Sequence, residues 1–562
     1  MQLSRFIKSI IVTILLLILT AYVSFAQNGI SFYDKSGTPY MKPTSDPIQH
    51  PDKVKDFDMD YFTNPDKLLG ELKFNWFINS GFGVDVLGGK TWYPFILCPI
   101  VQGYKGQLVL DLSINFDADF EARSQDWDGG NAAISKILFF NWGKKDEDPM
   151  RLMWGPIPAY TLGHGTIMKR YTNMGSYPDI QKRGTTFEAD LYYSNIQFIV
   201  ADWYMRDVWG SHIDVFPLRV VNKFAPFNQW YLDDILSKTK IGTTLVWDSR
   251  ASEVPSVITE RALANPEDSR FIQPIKDGKV RRRSLYTHIA SLAGDEGINR
   301  SYPSTDLSAT DPTNTYYYLN YGPIYTKKTF VWGLDLEVPV WLDENSIDVT
   351  VYYDHNRIDD LASGNHFGVF GHIVPKSVDI GYRFELIADW SGGYAPRYFN
   401  SQYELNKSYQ YMHYKTYHEA VKNSWADNIL GWLVEFDRTF FDDKLGTQFS
   451  IDRNGGDGLD THMFFAVWLT RLVPGLTFTG FWDRYEIHKF DDIMKEEPLN
   501  TRMGTEFAYQ ISQNVELSIM YTKGFRFEEV VFVDPLNPTV ERGPVQVPQK
   551  IQTTSIQTRV KF

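Results

Sequence analysis

The chain is poor in the features that mark most functional classes. It has one cysteine, Cys98, in 562 residues, so an intrachain disulfide is excluded and stability has to come from packing and backbone hydrogen bonding. After residue 26 nothing approaches the ~20 consecutive apolar residues of a spanning helix, and mean hydropathy is -0.31. A helical-bundle membrane protein is thereby excluded. Walker loops, paired CxxC and HExxH are absent, and the GHG at 163–165 is too short for a dinucleotide fingerprint. His413 and His418 share neither a helix face nor a strand face. His366 and His372 would share a strand face but lie roughly 20 Å apart, too far to hold one ion. Asp354 and His355, as strand neighbours, face opposite sides and cannot form a dyad. A lipid-facing serine–histidine pair in register cannot be placed either. The sequence therefore predicts no enzyme, no metal and no cofactor. Basic residues are also in the minority, with a net charge of -13, which argues against nucleic acid as a partner.

Aromatic residues are plentiful, at 15% of the chain with 33 Tyr and 16 Trp. The two ends are the most informative segments. Arg5 and Lys8 precede an apolar stretch, Ile10 to Leu19, and Ser24-Phe25-Ala26 places small residues where a signal peptidase reads. Residues 1–26 are expected to be a signal peptide, cut between Ala26 and Gln27. Cysteine does not follow the cut, which argues against lipid anchoring. The mature chain would carry 54 basic against 69 acidic side chains, a charge of -15. At the other end, IQTTSIQTRVKF alternates almost completely: Ile556, Thr558, Val560 and Phe562 point one way, and Ser555, Gln557, Arg559 and Lys561 the other.

The same period of two returns along the chain. Leu108, Leu110, Leu112, Ile114 and Phe116 alternate with polar residues that include Asp111. Trp332 to Val340 alternates around Asp335 and Glu337, and Val378 to Leu386 around Asp379, Arg383 and Glu385. Val515 to Tyr521 alternates around Glu516 and Ser518. Each run is about ten residues, the length with which a tilted strand crosses a bilayer. Short connections (Leu342–Asn345, Val374–Lys376, Phe441–Lys444, Val473–Gly475, Ser512–Asn514) alternate with long ones (Ser391–Ile429, Arg453–Asp460, His488–Asn500, Glu528–Val547). A soluble sandwich would show shorter strands, and charge at so many inward positions would be costly in its packed core.

An alternating strand that ends the chain on an aromatic residue resembles the closing strand of bacterial outer-membrane β-barrels. That resemblance implies an all-β, transmembrane, antiparallel up-and-down barrel over 69–562. Roughly 18–22 strands are expected, with both termini periplasmic. It also implies that Ile556, Thr558, Val560 and Phe562 form the signal read by the barrel assembly machinery. Residues 27–68, polar and proline-bearing, read as an extension, too short for the folded plug of a TonB-dependent transporter. Residues 416–430 carry Tyr417, Val421, Trp425 and Ile429 at four-residue spacing, which suggests a short amphipathic loop helix.

Residues 155–184 read GPIPAYTLGHGTIMKRYTNMGSYPDIQKRG, with five glycines and a local cluster of Lys169, Arg170, Lys182 and Arg183. TLGHG followed by YTN and YP is similar to a stretch in poorly characterised porin-like barrels of diderm bacteria. General porins narrow their pore with an inward loop, so the segment is expected either to form such a constriction or to lie on the surface. As a constriction it would oppose Lys169 and Arg170 to carboxylates such as Asp111, Asp335 or Glu337. The expected pore lining is Asp111, Asp335, Glu337, Asp348, Asp379, Arg383 and Glu385 with Lys169 and Arg170.

The resemblance implies a porin-like channel in the bacterial outer membrane, passing small hydrophilic solutes with mild cation preference from its carboxylates. A sealed adhesive or structural barrel, with loops Ser391–Ile429 and Arg250–Arg283 as binding surfaces, is the alternative. A dedicated lipid or glycan transporter is a further one. The expected partners are the lipid bilayer, the assembly machinery and the solutes, and a homo-oligomer is compatible with all readings.

Overall fold

The computed structural model describes residues 75–561, apart from short stretches at turns and the segments 124–135, 175–181, 225–236, 255–324, 405–428, 454–460 and, save Ile493, 488–500. The expected signal peptide with Ala26 and Gln27, the 27–68 extension, the amphipathic stretch up to residue 428, most of the Arg250–Arg283 loop and Phe562 lie outside the described residues.

Twenty-one extended elements make one antiparallel sheet. The first ten are β1 (Asn75–Leu87), β2 (Lys90–Gln102), β3 (Gly106–Leu110), β4 (Ile114–Phe116), β5 (Ile137–Trp142), β6 (Met150–Gly155), β7 (Gly184–Leu191), β8 (Ser194–Val200), β9 (Val208–Val215) and β10 (Lys240–Val254). A short helix, α1 (Pro217–Phe224), sits between β9 and β10. The remainder are β11 (Tyr325–Asp343), β12 (Ile347–Ile358), β13 (Ala362–Ile373), β14 (Asp379–Asp389), β15 (Ile429–Phe440) and β16 (Leu445–Arg453). Then follow β17 (Thr461–Thr470), β18 (Leu476–Ile487), β19 (Thr501–Ser512), β20 (Val515–Asp534) and β21 (Asn537–Lys561). Because β3 and β4 both pair with β2 as pieces of one broken strand, the wall has 20 strands. Sequence neighbours pair around the ring, and β21 returns to β1 from Phe77↔Lys561 to Val86↔Gln552. The chain is an all-β, up-and-down closed barrel, a ring without edges in which the ladder satisfies the backbone.

Alternation sets the two faces. On β12 the side chains of Asp348, Thr350, Tyr352, Asp354 and Asn356 are buried inward, whereas Val351 and Tyr353 are exposed outward. On β14 Arg383, Glu385 and Ile387 are buried while Phe384 and Leu386 stand outside, and on β21 Ser555 and Gln557 are buried beside exposed Ile556. Thr558 and Val560 of β21 are half-buried. The exterior is therefore apolar and the interior polar, the reverse of a soluble globule. Exposed Trp76, Trp341 and Tyr509 lie toward the barrel end that holds Asn75 and Lys561, and Tyr93 and Trp203 toward the other. That placement suits amphipathic rings at two membrane interfaces.

Two readings of the sequence need correction. Residues 107–117 are not one strand but β3 and β4, separated at 111–113. The Asp111 carboxylate accepts the Ser113 backbone N–H at 3.0 Å, and Ser113 Oγ accepts the Leu97 N–H at 3.3 Å. This local bond competes with the ladder and breaks it. Beyond the break Asp119 and Glu121 are exposed, turned about Asp117.

The second correction concerns Glu528–Val547, which is not a loop. The hairpin of β20 and β21 runs on from Glu528↔Val547 to Asp534↔Asn537, past the points where β19 and β1 stop pairing with it. Pro544 and Pro548 sit where each strand has only one neighbour. A missing N–H there costs no ladder bond on the open side.

Candidate functional site

The lumen is where the chain's chemistry is gathered. Parts of two loops enter it from the barrel end opposite Asn75 and Lys561: the described residues of 156–183, between β6 and β7, and residues 394–404, between β14 and β15. The first folds back on itself. Tyr160 and Tyr171 exchange backbone bonds at 2.8 Å each, and the Gly165 N–H donates to the Leu162 carbonyl at 2.9 Å. Gly163 and Gly165 adopt φ of +52° and +72° in this turn, the left-handed region open to glycine at little cost. Gly163 also lies against the His212 ring, where a β-carbon would collide with it. The GHG that has no meaning as a nucleotide motif is thus the tip of an inward hairpin.

The second loop docks alongside. Lys169 N–H donates to the Phe399 carbonyl at 2.9 Å, Phe399 N–H to the Ile167 carbonyl at 3.0 Å, and Arg397 N–H to the Thr166 carbonyl at 2.8 Å. The result is a short parallel bridge inside the barrel at Met168 and Phe399. Side chains of both loops, Ile157, Leu162, Met168, Tyr171, Tyr398 and Phe399, pack with inward Ile199, Val246, Val331 and Ile387 into an apolar core. Fully burying one large apolar side chain contributes about 1.5–3 kcal/mol, which makes this core a strong hold on the loops.

Around the core the charges are paired. Lys169 Nζ lies 2.9 Å and Arg170 Nη2 2.7 Å from the Glu435 carboxylate. Their partner is this β15 carboxylate, rather than Asp111, Asp335 or Glu337, because the loop reaches across to the wall between β14 and β16. Arg170 also covers the Phe464 ring at 3.9 Å. His164 faces two carboxylates of the opposite wall, with Nδ1 2.9 Å from Asp354 Oδ1 and Nε2 3.1 Å from Glu337 Oε2. It stacks on Tyr352 at 4.2 Å. Glu385 is a hub: Arg397 and Tyr352 bond it, His366 Nδ1 lies 2.9 Å away, and Arg383 Nη2 donates to it at 2.9 Å. Asp348 holds the His372 N–H at 2.7 Å.

These pairings set the protonation of the loop groups. Burial works against a charged His164, but Asp354 and Glu337 outweigh it and hold its pKa well above 6.5. Lys182 likewise stays cationic against burial because Glu404 and Asp207 flank it. For Lys169 burial wins: assisted by Arg170, Arg383 and Arg397 and opposed by Glu435, it brings the ammonium down to about 7.

Of the residues expected to line a pore, Asp335, Glu337, Asp348, Arg383 and Glu385 are buried on inward strand faces, and Lys169 and Arg170 are buried on the first loop. Asp111 sits half-buried in the break of the wall, and Asp379 begins β14 opposite Thr439. The sequence reading missed Glu435, although it lies between outward Val434 and Phe436 in a run whose alternation already pointed it inward. It also missed Arg397 and Glu404, which lie in a loop without periodicity.

Neither a protein-family model nor a curated protein matches the chain. Among solved structures it is similar to a single-site variant of the ferric enterobactin receptor of Pseudomonas aeruginosa: 9% identity over 87% of this chain and 80% of that one, TM-score 0.33. It is similar to a BenF-like porin of Pseudomonas fluorescens at 7% identity over 88% and 99%, TM-score 0.29. The outer membrane protein opdK of Pseudomonas aeruginosa matches at 5% identity over 87% and 98%, TM-score 0.29. The closed barrel rests on this chain's own strand pairings. Apolar outside and charged within, it has the build of a porin-like outer-membrane barrel.

Proposed function

We propose that this chain is an outer-membrane channel for passive diffusion of small hydrophilic solutes, narrowed by the two docked loops and mildly selective for cations. The observation that carries this reading is the sign of the buried charge. Among the described residues, 16 Asp and Glu but only 5 Lys and Arg are buried, and excess carboxylate along a wet path favours cations. On this reading the termini are periplasmic and the loops enter from the cell surface. The closing strand, β21, is the one the assembly machinery reads on this view, through Ile556, Thr558 and Val560.

A second reading, a sealed surface barrel, is favoured by one feature: the apolar core of the two loops excludes water from the part of the lumen it fills. Single-channel recording in a planar bilayer with asymmetric salt separates the two. Stable conductance steps with a cation-biased reversal potential support the channel. Silence from protein shown independently to have inserted supports the sealed barrel.

A further inference from the structure

Beneath the tip of the first loop, three wall residues converge. His212 and Asp214 belong to β9 and Asp335 to β11, and one ligand atom from each lies within 4.8 Å of the other two. Between those strands runs β10, whose residue at this level, Gly242, pairs with Asp214 on one side and Asp335 on the other. A β-carbon on Gly242 would run into both carboxylates. The absent side chain is what allows acids from two non-adjacent strands to lean together over β10.

Two carboxylates this close repel unless something positive joins them. His212 reaches Asp214 at 3.0 Å but comes only within 3.9 Å of Asp335 Oδ2, and the other cations nearby are engaged elsewhere: Lys240 lies 2.9 Å from Glu337, and His164 bonds Glu337 and Asp354. Asp335 is 7% exposed, and its Oδ1 is buried without a hydrogen-bond partner. A buried anionic oxygen left in that state is costly. The histidine is set up as a ligand. Its Nδ1 lies 2.9 Å from Thr244 Oγ1; donation there places the Nε2 lone pair toward Asp214 Oδ1, 3.0 Å away, where a cation can be shared. A metal-binding imidazole usually has its other ring N–H fixed by an outer acceptor, and the Thr244 hydroxyl fills that place here.

We propose that His212, Asp214 and Asp335 bind one divalent transition-metal ion of the zinc class. One imidazole nitrogen and two carboxylate oxygens suit such an ion. Held there, it would join β9 to β11 across β10. It would also stiffen the wall on which Gly163 and the first loop rest, whether or not the lumen conducts.

The test uses the full chain, folded in detergent and stripped with a chelator, titrated with zinc chloride by calorimetry. Expected are one saturable site per chain, a rise in thermal midpoint on loading, and at least tenfold weaker binding in Asp335→Asn and Asp214→Asn. Asp348→Asn, which alters an inward carboxylate away from the cluster, should bind as the wild type. The proposal is overturned by absence of saturable binding, which would mean that a protonated His212 alone balances the acids. It is equally overturned by undiminished binding in the Asp214→Asn, Asp335→Asn double variant, provided heat-modifiable migration shows that variant folded.

Discussion

The backbone N–H of Lys169 donates to the carbonyl of Phe399 at 2.9 Å, joining a loop that leaves β6 to one that leaves β14. Each loop alone would leave polar backbone buried in the lumen, a costly state. Joined, they satisfy one another and bury a shared apolar core. They are therefore expected to move as one body.

Gly163→Val attacks that body at its turn. The backbone there has φ of +52° and the new side chain would press on His212. A loss of about 2 kcal/mol or more in stability is expected. If the channel reading holds, single-channel conductance rises as the hairpin leaves the lumen. An unchanged conductance in folded protein would mean that this loop does not narrow the path.

Lys169→Met tests the charge on the path. Burial holds the Lys169 ammonium down to about 7, so the lumen is expected to lose a positive charge between pH 6 and 8; if it conducts with the proposed cation preference, that preference should increase. The variant should show the higher preference already at pH 6, with a smaller change up to pH 8. Reversal potentials across a fixed salt gradient read this directly. The stability effect has its own sign: a folded pKa below the unfolded 10.5 is a cost present below about pH 7, relieved as pH rises toward 10.5.

His164→Ala removes a cation from between Asp354 and Glu337. Stripping one partner from a buried ion pair costs about 3 kcal/mol or more, read as a lower thermal midpoint of the folded band on gels. The folded pKa of His164 stands above the unfolded 6.5. Its stabilisation is thus fully present below about pH 6.5 and is lost as pH rises through the folded value. The gap between wild type and variant should be largest near pH 6 and close in alkali. A gap independent of pH would mean that packing on Tyr352, not charge, holds the loop.

Leu386→Arg places a charge on the outer face of β14, where Leu386 is exposed. In lipid this costs about 2–4 kcal/mol near the midplane, so folding into vesicles should be weakened while the same change in a soluble barrel would be neutral. Equal folding free energy for wild type and variant in vesicles would place that face outside the hydrocarbon.

Alternation made the strands and their two faces legible, because a strand's side chains must face opposite sides, and the resemblance of the closing strand to those of outer-membrane barrels pointed to a closed sheet. Asp335, Glu337, Asp348 and Glu385 were legible as inward by the same count. The break at Asp111 and the extended hairpin of β20 and β21 were not, since a side chain's competition for a backbone N–H and the presence or absence of a neighbouring strand are facts of three dimensions. Period-two patterning fixes a residue's face but not its height or its neighbour around the ring. Only the tertiary structure could bring Lys169 to Glu435, His164 to Asp354 and Glu337, and Asp214 to Asp335 over Gly242, because those pairings depend on strand register and on how two aperiodic loops fill the space that the closed wall leaves.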